Sequence, residues 1–243
     1  MAKAINYYYD QLNKEQQRAY YAIKEGLLNL QDSFPVPMLS RKELSDIYFM
    51  IRMDWPEIFY SVTFSYRHYQ DSTVVELIPQ YLFSKDKIRE HRQAMSSRVN
   101  KLARQAESLE EKDKELFIHD FLVNNVRYDK LKKEYSHEII GALGNGVAVC
   151  EGIAKAVKVL CDRLDIWCIV ALSEANPEKG IKYRHACVPF HCQRSSGTGQ
   201  QSAHSLPSWP WMRNRYICFG PRTHQRKQPS GFSRSGCLRT CCS

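Results

Sequence analysis

The run Val149-Cys150-Glu151-Gly152-Ile153-Ala154-Lys155-Ala156-Val157-Lys158-Val159-Leu160-Cys161 constrains the fold of this chain more than any other. Ile153, Val157, Leu160, Cys161 and Leu164 recur at helical spacing and form one apolar face. A helix of this kind must be buried by its neighbours, and the spacing predicts it over about 149–164. The approach Gly144-Asn145-Gly146 reads as a glycine-rich loop that leaves the helix N-terminus at a surface or cleft. Cys150 then falls in the first turn. The positive end of the helix dipole there favours thiolate over thiol, and the thiolate is the nucleophilic form. Backbone N–H groups of the same turn can also stabilise an oxyanion.

His185-Ala186 follows 35 residues later, at the start of another apolar stretch. A cysteine at a helix start with a histidine from a later strand is an arrangement that activates a thiol. Alone, Cys150 would be a small buried residue and His185 a satisfied polar one. The glycine approach and the pairing turn both readings toward chemistry.

Elsewhere the pattern alternates helix and strand. Residues 8–31 read as one amphipathic helix carrying Tyr8, Leu12, Tyr20, Ile23, Leu27 and Leu30. Pro35 and Pro37 break the chain. Ser40 with Glu43 at capping-box spacing starts a second helix, which Trp55-Pro56 ends. Ile58–Tyr69 and Thr73–Phe83 read as strands joined by Gln70-Asp71-Ser72. Charged helical segments follow over about 84–106 and 110–125, the second with Leu116, Phe117, His119, Phe121 and Leu122 on or near its buried side. Ile166–Leu172 and Tyr183–Phe190 read as strands. Tyr128 and Asp129 close the helix before them and read as structural, a place near the cleft being the alternative for Asp129.

Asn124-Asn125-Val126-Arg127-Tyr128-Asp129, the Gly144–Ala156 segment and His185-Ala186 together resemble the transglutaminase-like superfamily, specifically its bacterial members. The resemblance covers about residues 110–186 and is most specific around Cys150. It implies an α+β, papain-like core and a Cys-His-Asp triad for acyl transfer or hydrolysis at amide bonds. By it Cys150 matches the nucleophile and His185 the base, and the partner is a protein or peptide substrate. The chain departs from the pattern twice. Cys187 stands where the family usually has tryptophan, and no Asp or Glu follows Glu178 to supply the third member. Asn214 is the one asparagine late enough to substitute for it. The organisation expected is a helix-and-hairpin region over 1–84, a partial transglutaminase-like domain over 85–190, and a basic tail over 191–243.

Charge and cysteine follow the same division. All 26 Asp and Glu precede residue 179, against 24 of the 35 Lys and Arg. The formal charge of +9 therefore belongs to the last 65 residues, which hold 11 basic side chains and no acid. Six of the nine cysteines lie at or after Cys187, so no disulfide framework is expected in the body. The tail reads either as a disordered basic segment or as an out-of-frame end on a truncated domain. The abrupt switch inside an apolar strand favours the second.

Among the late His and Cys residues, His185, Cys187, His191, Cys192, Cys218, Cys237, Cys241 and Cys242 offer no Cys-x2-Cys pair with a matching second pair, so no metal is expected. No cofactor motif occurs. Interleaved Arg and Trp could hold a single-stranded nucleic acid, but no recognised module is present. With no signal peptide and no apolar run of membrane-spanning length, the expected location is the cytoplasm, with no membrane partner. Two function classes stand side by side: a cysteine acyl-transfer or hydrolysis protein, and a non-catalytic peptide-binding module on the same fold.

Overall fold

The computed structural model describes residues 6–173, 185–189 and 216–218, a mixture of helix and strand. The helix expected over 8–31 is two helices, α1 (Tyr7–Asp10) and α2 (Lys14–Leu28). Asn13 divides them. Its extended backbone lets its carboxamide oxygen accept the N–H groups of Glu15 and Gln16, both at 3.0 Å, while Gln16 Oε1 accepts the Asn13 N–H at 3.2 Å. Apolar periodicity cannot register such a cap, because Tyr8 and Leu12 stay on the inner side across the break.

Ser40 caps α3 (Arg41–Asp54) as its spacing predicts, with Glu43 closing the capping box. Leu44, Ile47, Tyr48 and Ile51 face inward. Buried Asp54 ties three helices together. It accepts the Tyr8 and Tyr9 N–H groups at 3.2 and 3.1 Å and the Tyr20 hydroxyl at 2.8 Å. Burial raises its pKa to about 6 against those hydrogen bonds.

The expected hairpin is β2 (Ser61–His68) and β3 (Val74–Tyr81), antiparallel, with Asp71 in the left-handed region at φ 58° in the turn. A third strand was not foreseen. Phe34–Pro37 forms β1 on the other side of β3, so the order is β1-β3-β2. Pro35 and Pro37 read as breakers, yet a sheet edge tolerates residues without an N–H donor. Phe34 seats its ring against the backbone of Gly26, where an added Cβ would come within 2.3 Å of it.

Ser84 caps α4 (Lys85–Arg104), and α5 (Glu111–Asn125) follows. The inward stripe of α5 is centred on Ile118 and Leu122, with Phe117, His119 and Phe121 half-buried. Leu116, expected inside, is 51% exposed, because the packed stripe runs through 118 and 122 rather than 116. A two-residue parallel pair, β4 (Arg127–Tyr128) with β5 (Val147–Ala148), then brings the end of α5 beside the start of α6 (Cys150–Arg163).

Helix α6 is the centre of this part, buried continuously from Gly152 to Cys161 and packed by α4, α5 and β7. The strand expected over 166–172 is shorter. Ile166, Cys168 and Val170 are buried, and among the described residues this run makes one isolated bridge at Cys168 before the strand β6 (Ala171–Ser173) begins. The apolar run satisfies the core without forming a ladder, after a turn at Asp165 with φ 61°. β6 pairs antiparallel with β7 (His185–Pro189), and β7 with β8 (Tyr216–Cys218). Three residues of the expected tail over 191–243 thus pair with the sheet, while the rest of that tail, Asn214 included, lies outside the described residues. One core runs unbroken across the expected boundary at residue 84, from Tyr20 on α2 to Val188 on β7.

Candidate functional site

The approach to Cys150 is more ordered than a glycine loop. Ile140–Asn145 forms a π-helical turn, a geometry common at functional sites. It is closed by Gly146 at φ 65°, where any Cβ would be strained and would lie 3.0 Å from the Asn125 carbonyl. β5 follows, and Val149 caps α6 in extended conformation. The segment 134–138 presses on the first turn from outside. The Val149 N–H donates to the Ser136 carbonyl at 3.0 Å, and a Cβ on Gly152 would sit 2.2 Å from that same oxygen. Gly152 is thus required by close backbone approach.

Cys150 opens α6 and keeps partial solvent access, whereas Cys161 and Cys168 are buried and all three are free thiols. Burial pushes the Cys161 thiol well up, and its hydrogen bond with Cys168 adds to the effect. Tyr128, read from sequence as structural, reaches Cys150 from β4. Its phenol is raised first by burial, then by the charge of Cys150, then by a hydrogen bond to the cysteine side chain, while the Cys150 N–H also meets it. That first-turn N–H is therefore occupied by Tyr128.

Directly behind the cysteine lies a charged cluster. Lys155, fully buried, donates to Glu138 Oε1 at 2.9 Å and to the His137 carbonyl at 3.1 Å, and pairs with Glu151 Oε1 at 2.8 Å. Arg52, from α3, binds the fully buried Glu138 and lies 3.7 Å from Glu151. Burial alone would lower the Arg52 pKa; the charges of Glu138 and Glu151 override it and hold it up. His137 Nδ1 is 3.1 Å from Glu151 Oε2. That hydrogen bond raises the His137 pKa. Burial disfavours the Glu151 carboxylate, but Lys155 and His137 outweigh it and hold its pKa well below the usual range.

Asp129 is committed to its own loop. It accepts the N–H groups of Leu131 and Lys133, both at 2.9 Å, and the Ser136 hydroxyl. The Ser136 bond is the main cause of its lowered pKa.

Cys150 and Tyr128 are brought together, and the backbone of His185 enters β7, which packs on α6 opposite Ser173 of β6. The side chain of His185 lies outside the described residues. Among the described residues, no three His, Cys, Asp or Glu side chains gather where a metal ion could be held, and no helix is long and apolar enough to cross a membrane. The Glu151–Lys155 pair was open to sequence reasoning, since i,i+4 residues of opposite charge meet on a helix. His137, Glu138 and Arg52 carry no such signal. No family model and no curated protein matches the chain.

Proposed function

We propose that the chain is a transglutaminase-like thiol protein with a papain-like core, acting on peptide or isopeptide amides by acyl transfer or hydrolysis. Cys150 is the nucleophile and His185 the base. The thiolate adds to the amide carbonyl carbon, and the resulting oxyanion collapses as the carbon–nitrogen bond breaks. The amine leaves with the proton that the histidine took from the thiol. Water or a second amine then attacks the thioester and restores the thiol.

The observation that supports this reading is the seat of Cys150. It is the first residue of a 14-residue helix, partly accessible, with a phenol hydrogen-bonded to it. Such a thiol is held in the field that favours its anion. No carboxylate follows Glu178, so turnover is expected to be slow. Loss of an orienting carboxylate costs about 10^4 in a triad enzyme.

The test is the pH profile of iodoacetamide labelling of Cys150 in the folded protein, compared with the same cysteine in urea. The proposal expects a midpoint at least one unit below that of the unfolded chain, near 8.5 for a free cysteine. A native midpoint at or above the unfolded one removes the activated nucleophile and leaves the non-catalytic binding module.

A further inference from the structure

The loop that follows Tyr128 leaves the cysteine site and returns to it. Asp129 gives its N–H to the Ala148 carbonyl at 3.0 Å, and at the other end Ser136 accepts the Val149 N–H at 3.0 Å. Both ends of 130–135 are thus tied to the residues that lead into Cys150. A loop of this length, held at both ends, carries its tip no more than about 12 Å from them. Asp129 also braces it from within, by accepting the N–H groups of Leu131 and Lys133 and the Ser136 hydroxyl.

Charge is sorted by depth at this end of α6. Its carboxylates are covered and answered: Glu138 and Glu151 by Lys155 and Arg52, Asp129 by its own loop. The cations are outside. Lys130, Lys132 and Lys133 are exposed, with Arg127 exposed before them, and Glu134 is the one exposed acid among residues 127–134. Lys133 lies 5.7 Å from the Tyr135 ring centroid, and its charge helps to hold the Asp129 carboxylate. Lys130 and Lys132 have no ion-pair partner among the described residues. Between them Leu131 is 78% exposed, more than any other large apolar side chain described.

We propose that residues 130–133 are the recognition edge of the Cys150 site and take an acidic peptide segment. Leu131 packs on an aliphatic side chain of that segment, and Lys130 and Lys132 meet carboxylates on either side of it. The flanking cations set the sign of the partner, and the leucine gains by leaving water. The inference rests on Cys150 as the nucleophile and names its substrate class: an amide within an acidic, aliphatic stretch of protein. A single-stranded nucleic acid would need an exposed ring to stack on, and Tyr135, the one aromatic of the loop, is half-buried against Lys133.

The test uses the full chain carrying Cys150→Ala, so that nothing is turned over. The probe is a fluorescein-labelled peptide, Gly-Asp-Glu-Leu-Gln-Glu-Asp-Gly, followed by fluorescence anisotropy at neutral pH and low salt. Saturable binding is expected, about tenfold or more tighter than that of the counterpart with Asn and Gln for its acids, and weakening as salt rises. Lys130→Gln, Lys132→Gln and Lys133→Gln together should weaken it about tenfold or more, and Leu131→Ser about tenfold. The control is Arg222→Gln with Arg226→Gln and Lys227→Gln, three cations of the basic tail, which should leave the affinity nearly unchanged. The exchanged loop side chains are exposed, and urea midpoints equal to that of the parent confirm that each variant is folded. With the native cysteine in place, saturating peptide should slow iodoacetamide labelling of Cys150 several-fold, read on the Cys150 peptide by mass spectrometry. Affinity does not depend on the thiol, so an unactivated Cys150 and a failed recognition edge give different results. Equal affinity for the neutral peptide, full affinity in the folded loop variant, an equal loss from the tail exchange, no protection of Cys150, or no saturable binding at millimolar peptide would each overturn the proposal. So would an oligothymidylate that binds more tightly than the peptide through the same lysines.

Discussion

Gly152→Ala sets two effects of comparable size against each other. Helix propensity favours the change, since alanine in a helix interior is better than glycine by about 1 kcal/mol. The tertiary structure opposes it. The new methyl would lie 2.2 Å from the Ser136 carbonyl oxygen and 3.1 Å from that of Glu138. Both neighbours are backbone, so neither can swing away as a side chain would. Restoring an ordinary contact needs a separation of about 1 Å between segment 134–138 and the first turn of α6. Overpacking of this kind costs about 1–3 kcal/mol. The same displacement strains the Val149–Ser136 hydrogen bond, worth about 1 kcal/mol more. The net expectation is a destabilisation of about 2 kcal/mol, read as a lower urea midpoint at unchanged slope. Because the segment carries His137 and Glu138, the rate of Cys150 alkylation should change as well. A variant as stable as the parent or more so would refute the reasoning, since propensity would then have outweighed the contact.

Four further outcomes are expected. Lys155→Met leaves Glu138 buried with Arg52 as its remaining cation and should cost about 3 kcal/mol in urea unfolding, whereas Lys42→Met, whose pair with Asp46 is exposed, should cost under about 0.5 kcal/mol. Tyr128→Phe removes the phenol from Cys150 and should move the pH midpoint of its alkylation up by about one unit, with little change in unfolding midpoint. Asp54 has its folded pKa raised to about 6, so its folded form holds the proton more tightly. Its contribution is greatest below about pH 4 and falls as pH rises to about 6. The stability difference between the parent and Asp54→Asn should therefore shift by about 3 kcal/mol or less across that window, and a flat difference would exclude it. The His137–Glu151 pair has a window bounded on both sides. Lowered Glu151 contributes stability above the usual carboxylate range that is lost as pH falls through its folded pKa. Raised His137 contributes below about 6.5, and that is lost as pH rises through its folded pKa. His137→Gln should remove the alkaline limb of the urea-midpoint profile and leave part of the acid limb.

By itself the sequence determined those features that depend on neighbours along the chain. The cap at Ser40, the β2–β3 hairpin, the extent of α6 and the place of Cys150 in its first turn all follow from spacing within one element. Those signals are local because a cap, a turn or an amphipathic face is completed by residues within a few positions.

Tertiary structure decided the rest. Asn13 split a periodic helix by a hydrogen bond that hydrophobicity does not register. Prolines became an edge strand because β3 offered a partner on one side only. Leu116 faces outward because packing chose the stripe through Ile118 and Leu122. Around Cys150 the same distinction holds. The helix start was legible, but Tyr128 arrives through a two-residue parallel pair and Arg52 through α3, nearly a hundred residues upstream. A buried charge must find its partner in space and not in sequence, because the low-dielectric interior makes an unpaired charge more costly than the chain entropy of closing a long loop.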